Sequence, residues 1–231
     1  MIRTTIESLR DPFVLVDNNV YYLYGTNAAS GWEQGSDYKC YKNESGRLDG
    51  DWVRLPSVTI FPKTAVKNKW APEVHKYNGA YYMFGTYHSS ETNRRGCAVF
   101  RADSPEGPFT EISDGHITPS EWDAIDGTLY IDQEGQPWMV FVREWVSTED
   151  HVGRMVTAKL SADLSTFISE PIELFRADAP VWAKDRVTDG CFLHHINGEL
   201  IMIWSNFDKD GYCIGVAKSK NGKIDGEWVQ D

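Results

Sequence analysis

Three aspartates, Asp11, Asp126 and Asp189, each stand at the mouth of an apolar run, beside a proline or glycine that can end one element and begin another. One aspartate in that setting is an ordinary turn residue, because its side chain bonds its own backbone. Three at recurring positions carry a different meaning. Carboxylates gathered in one place raise one another's affinity for protons unless cations pair with them, and sequences generally keep such an arrangement for chemistry. The chemistry open to them is hydrolysis of a neutral polar substrate, in which one carboxylate activates water and a second protonates the leaving oxygen. For a glycosidic bond cleaved with inversion, the two groups stand roughly 6.5–9.5 Å apart to admit that water. A third aspartate can then tune the acid and help orient the sugar.

Residues so far apart in sequence meet only if equivalent elements repeat around one axis. Four segments have the required form of an opening, an apolar strand, a tight turn and a second strand: Asp11 to Thr26, Ala71 to Thr86, Asp126 to Val142 and Asp189 to Ser205. Their turns are Asp17-Asn18-Asn19, Asn78-Gly79, Glu134-Gly135 and Asn197-Gly198, residue types that tolerate the left-handed backbone of a hairpin. A second echo follows each segment and ends in an aromatic ring, Trp52, Phe109, Phe167 and Trp228, at intervals of about 57 to 61 residues. An all-strand repeat of this length predicts an all-β fold, a β-propeller with four visible blades and the outer rings packed between neighbours. The openings of its inner strands converge on a central channel. No helical periodicity and no linker interrupt the pattern, so residues 1–231 are expected to form a single propeller domain. Residues 27–36, 88–96, 143–154 and 177–188 are the expected loops around one mouth of the channel.

Composition narrows the partners. A formal net charge of -11 argues against nucleic acid and anionic membranes, which need clustered Lys and Arg. No stretch approaches the roughly 20 apolar residues of a membrane span, and the N-terminus lacks the apolar core of a signal peptide. The expected location is cytoplasmic. Cys40, Cys97, Cys191 and Cys213 lack metal-ligand spacing and are expected as buried thiols. The six histidines, including the His194-His195 pair, likewise show no ligand spacing. No resident metal or cofactor is expected from these residues, a calcium ion in the channel being left open. Thirty aromatic residues, nine of them Trp, suit both strands and sugar-stacking platforms.

The ordered motifs Arg10-Asp11-Pro12 before a Tyr-Tyr hairpin, Trp70-Ala71-Pro72-Glu73-Val74, Ala124-Ile125-Asp126-Gly127 and Val187-Thr188-Asp189-Gly190 resemble glycoside hydrolase family 43 over nearly the whole chain. That family comprises five-bladed propellers that cleave arabinose- and xylose-containing polysaccharides. The resemblance implies an inverting glycosidase of the α-L-arabinofuranosidase or β-xylosidase type, with Asp11 as general base and Asp126 as the residue that orients and modulates the acid. Asp189 falls where the family usually places a glutamate acid, one methylene shorter here and followed by Gly190-Cys191 rather than Gly-Pro. Glu144 is the alternative acid. Trp32, Trp70 and Trp145 are candidates to stack on a sugar, and Glu73 and Arg143 to bond its hydroxyls. The resemblance also implies a fifth blade, so the chain is expected to be a C-terminally truncated form. A catalytically degenerate carbohydrate-binding propeller is the competing expectation.

Overall fold

The computed structural model describes residues 6–31 and 35–230. The chain divides into two compact units, Met1–His116 and Ile117–Asp231. Each unit contains two sheets, antiparallel except for one strand pair in the first unit, and the four sheets are the blades of an all-β propeller fold.

In the first unit, blade 1 consists of β1 (Leu9–Asp17), β2 (Val20–Asn27), β3 (Tyr38–Asn43) and β4 (Val53–Arg54), in that order across the sheet. Asn18 and Asn19 both take positive φ between β1 and β2, as a two-residue hairpin with the native strand twist requires. Blade 2 is built from β5 (Thr59–Ile60), β6 (Ala65–Tyr77), β7 (Ala80–Ser89), β8 (Arg94–Ala102) and β9 (Phe109–Glu111). Its order is β5-β9-β8-β7-β6, so β5 leaves blade 1 and pairs in parallel with the outermost strand of blade 2. That fifth strand is not visible in the sequence repeat. Tyr22, Tyr24, Tyr38, Met83, Phe100 and Phe109 form a buried cluster joined by Phe13 and Leu15. Burying each large side chain is worth roughly 1.5–3 kcal/mol. At the rim of the same contact, Asp17 accepts from Lys76 Nζ at 2.5 Å and Tyr81 Oη at 2.8 Å. The Lys76 bond, aided by Tyr81, holds the Asp17 carboxyl below its usual range.

In the second unit, blade 3 comprises β10 (Ala124–Ile131), β11 (Pro137–Arg143), β12 (Arg154–Lys159) and β13 (Ile172–Arg176). Its inner turn is longer than the others: Asp132 closes it by accepting from the backbone N–H groups of Glu134 and Gln136 at 2.9 Å each. Blade 4 comprises β14 (Asp189–Ile196), β15 (Glu199–Phe207), β16 (Tyr212–Ser219) and β17 (Trp228–Gln230). Phe175 of blade 3 packs on Trp204 of blade 4 with ring centroids 5.3 Å apart. One face of blade 4 exposes Ile203, Tyr212, Ile214 and Val216, although their strands read as apolar as the fully covered β7 of blade 2.

The outer aromatics behave differently from one another. Phe109 does lie between blades, edge-on to Tyr24. Trp52 instead packs on Leu23 and Tyr41 of its own blade, and Phe167 stacks on Phe141 of its own blade. The indole N–H groups of Trp52 and Trp228 donate to the carbonyls four residues back, Leu48 and Ile224. These indoles therefore clamp the outer turn of their own blade. Cys40, Cys97 and Cys191 are buried thiols, while Cys213 is only half-buried.

Candidate active site

The openings of the four inner strands share a backbone device. In each blade the first hairpin carries a β-bulge, located between Arg10 and Phe13, Trp70 and Glu73, Ile125 and Thr128, and Asp189 and Cys191. The extra residue sits in left-handed backbone in every case: Asp11 at φ 50°, Ala71 at 44°, Asp126 at 56° and Gly190 at 44°. Aspartate and glycine are natural there, since both tolerate that region far better than most residues. In blade 1 the bulge faces Gly25, where a Cβ would stand 2.6 Å from the Arg10 carbonyl oxygen.

This geometry separates aspartates that the repeat places in register. Asp11 and Asp126 occupy the bulge residue itself, whereas Asp189 precedes it and Gly190 takes its place. Their partners differ accordingly. Asp11 Oδ2 accepts from the hydroxyl of Thr26 on β2, and Thr26 Oγ1 in turn accepts from the backbone N–H of Ala71 at 2.8 Å. Asp126 Oδ2 accepts from Gly190 N at 2.8 Å. Its backbone carbonyl lies 3.2 Å from Cys191 Sγ, so blade 3 grips both residues that follow Asp189. Asp189 Oδ2 accepts from Tyr212 Oη at 3.0 Å across the exposed face of blade 4. Loss of solvent around the Tyr212 hydroxyl, together with the Asp189 charge, raises that phenol well above its usual value, so it stays a donor.

The other predicted residues are distributed over both units. In the first, Glu73 Oε2 lies 3.2 Å from His75 Nε2, and His75 packs against Phe13 and Phe84. Trp70 has the Arg95 guanidinium 5.7 Å from its ring centre. Trp32 lies outside the described residues. In the second, Arg143 ends β11, donates to the Ser147 carbonyl at 2.7 Å and lies over Trp122 at 4.2 Å; burial draws its guanidinium below the ordinary value. Glu144 follows it, half-buried, with its N–H on the Asp123 carbonyl at 2.8 Å. Trp145 is covered on one face by Arg186, 3.7 Å from the ring centre. Among the described residues, no group of three or more His, Cys, Asp or Glu side chains is placed to hold a metal ion.

Sequence reasoning did not single out Thr26 or Tyr212. Thr26 had a faint signal, its place directly after the bare Gly25 that faces the bulge. Tyr212 had none, because its link to Asp189 crosses two strand pairings.

Comparison with known proteins accounts for the whole described chain. The sequence pattern of "Glycosyl hydrolases family 43" matches residues 4–231. An "Extracellular endo-alpha-(1->5)-L-arabinanase 1" of Bacillus subtilis is 25% identical over 93% of this chain and 66% of its own length. A "Xylosidase/arabinosidase 43A" of Humicola insolens is 26% identical over 62% of this chain and 52% of its own length. The crystal structure of an endo-arabinase from Bacteroides thetaiotaomicron superposes with a TM-score of 0.84 and 38% identity, covering 97% of this chain and 80% of that one. The chain spans 66%, 32% and 47% of the lengths of three curated arabinan-degrading relatives.

Proposed function

Because the chain belongs to glycosyl hydrolases family 43, we propose that it hydrolyses arabinofuranosyl or xylosyl linkages of plant-type oligosaccharides or polysaccharides with inversion of the anomeric centre. Asp11 takes a proton from the attacking water, Asp126 orients the acid, and Asp189 or Glu144 protonates the leaving oxygen. The observation that carries this reading is the bond from Gly190 N to Asp126 Oδ2. It fastens the orienting carboxylate to the residue that follows the candidate acid, as a modulating role requires. The bulges at Asp11 and Asp126 add support: they fix the backbone that carries both carboxylates, and acid–base catalysis needs its reacting groups held in place.

Arabinose- and xylose-linked substrates are favoured because named relatives act on arabinan or carry xylosidase/arabinosidase names. No cofactor, nucleic acid or membrane partner enters the scheme, and the location proposed is the cytoplasm.

A second reading, a carbohydrate-binding propeller without turnover, draws on Tyr212. A phenol donating to Asp189 favours the ionised carboxylate, whereas an acid must hold its proton. One experiment separates the two. The protein is incubated with linear arabinan, xylan and aryl glycosides of both sugars, and proton NMR follows the first-formed anomer. Release of the inverted sugar supports the enzyme reading. Saturable binding of the same polymers with no released sugar supports the silent propeller, and retention of configuration removes Asp11 from the water-activating role.

A further inference from the structure

We propose that Thr26 is a positioning residue for Asp11: its hydroxyl, buried between blades 1 and 2, bridges the two bulges and fixes Asp11 as a hydrogen-bond acceptor. The inference rests on the assignment of Asp11 as the base. Its argument is one of proton counting. The Ala71 backbone N–H can only donate, and it reaches Thr26 Oγ1 at 2.8 Å. A threonine hydroxyl has a single proton. With one lone pair of Oγ1 taken by Ala71, that proton points along the remaining bond, to Asp11 Oδ2. The chain of bonds therefore runs one way, from the backbone of blade 2 through Thr26 to the carboxylate of blade 1. It suits an ionised Asp11, the form that accepts a proton from water, and it assigns Oδ2 to Thr26 and the water to Oδ1.

Several features mark this as more than a filled gap. Thr26 is 1% exposed, so the hydroxyl that links the two bonds is itself shielded from solvent. Its position pairs with Arg10, immediately before the bulge at Asp11. Both ends of the bridge are bulge residues, Asp11 and Ala71, so a shift of one blade against its neighbour would be felt at the carboxylate. Blade 2 supplies an internal contrast. Thr86 occupies the same place opposite Trp70 and is equally buried, but the bulge residue beside it is Ala71, which has no carboxylate to hold. Threonine at this place thus stands beside a bulge carboxylate in blade 1 and beside Ala71 in blade 2.

The test compares Thr26→Val, Thr26→Ser and Thr86→Val in steady-state hydrolysis of the substrate cleaved by the wild type, with Asp11→Asn beside them. Valine keeps the shape and removes the hydroxyl; serine keeps the hydroxyl and removes the methyl. A misplaced catalytic group costs on the order of 100-fold, so Thr26→Val should lower kcat by about that factor with KM nearly unchanged. Thr26→Ser should recover most of the loss, and Thr86→Val should retain wild-type kcat even where its melting temperature falls. Should Thr26→Val fail to fold at the assay temperature, Thr26→Ala, which fits any space threonine fills, is compared with Thr26→Ser in its place. Wild-type kcat in the hydroxyl-free variant, or a Thr26→Ser variant as impaired as Thr26→Val, overturns the inference while Asp11→Asn remains inactive. Activity in Asp11→Asn, or no hydrolysis by the wild type, overturns the base assignment itself and takes this inference with it.

Discussion

Blade 1 and blade 4 each open on an aspartate beside a β-bulge, yet the two carboxylates are held by unlike means. Asp11 is the bulge residue, and its donor is a buried threonine that is itself anchored to the backbone of a neighbouring blade. Asp189 stands one residue ahead of the bulge, and its donor is Tyr212, a side chain 55% exposed. A base has to be ionised and still before water arrives. Rigid donation from a buried group serves that need. An acid has to hold a proton and then release it, and a donor on an open face of a sheet leaves that balance adjustable. On the proposed assignment, the difference teaches that one repeat gives two carboxylates opposite tasks by moving one of them a single residue along the strand.

The contrast can be broken most forcefully at Asp11. Asp11→Asn keeps a residue that accepts left-handed backbone, so the bulge should persist while the rate falls by about 10²–10⁴, the usual contribution of a general base. Initial rates on activated aryl glycosides and on unactivated oligosaccharides should fall together, because attack by water is lost whatever the leaving group. A variant that recovered on the activated substrate would give Asp11 the acid's behaviour and erase the distinction.

A smaller and more selective loss is expected at the acid. Asp189→Asn should cut hydrolysis of unactivated substrates by about 10²-fold or more and spare aryl glycosides whose leaving group needs no proton. Glu144→Gln, assayed on the same pair, decides between the candidates. If the selective pattern belongs to Glu144, blade 4 holds no acid and the comparison shifts to the end of β11.

Tyr212→Phe should have the mildest consequence. It removes a donor from the ionised form of Asp189, so the acid keeps its proton to higher pH. The basic limb of the kcat/KM profile should therefore move upward while the optimum rate changes little. An unmoved limb would show that the reacting acid does not sense Tyr212.

The hairpins and their order were legible because turn chemistry is local: Asn18-Asn19, Asn78-Gly79 and Asn197-Gly198 all take the left-handed backbone that their residue types permit. The one-residue offset of Asp189 was not, since Asp-Gly at Asp126 and Asp-Gly at Asp189 look alike in sequence. Only the strand pairing reveals that the bulge falls on the aspartate in one and on the glycine in the other. Thr26 and Tyr212 were hidden for a related reason. Their bonds span 15 and 23 residues of chain and depend on register, which composition does not report. The outer rings misled in a different way: similar spacing concealed that Phe109 faces another blade while Trp52 and Phe167 face their own.

The parallel strand β5 gives the first unit a property that a plain row of hairpins lacks. Residues Thr59 and Ile60 leave blade 1 and complete the outer edge of blade 2, and Phe109 N donates to the Val58 carbonyl at 2.7 Å beside them. Peeling that edge open therefore pulls on the exit from blade 1, so amide exchange in the two blades is expected to proceed as one foldon. The Asp11 bulge lies in the same unit, and its amides are expected to exchange with that block rather than fray as a free strand edge.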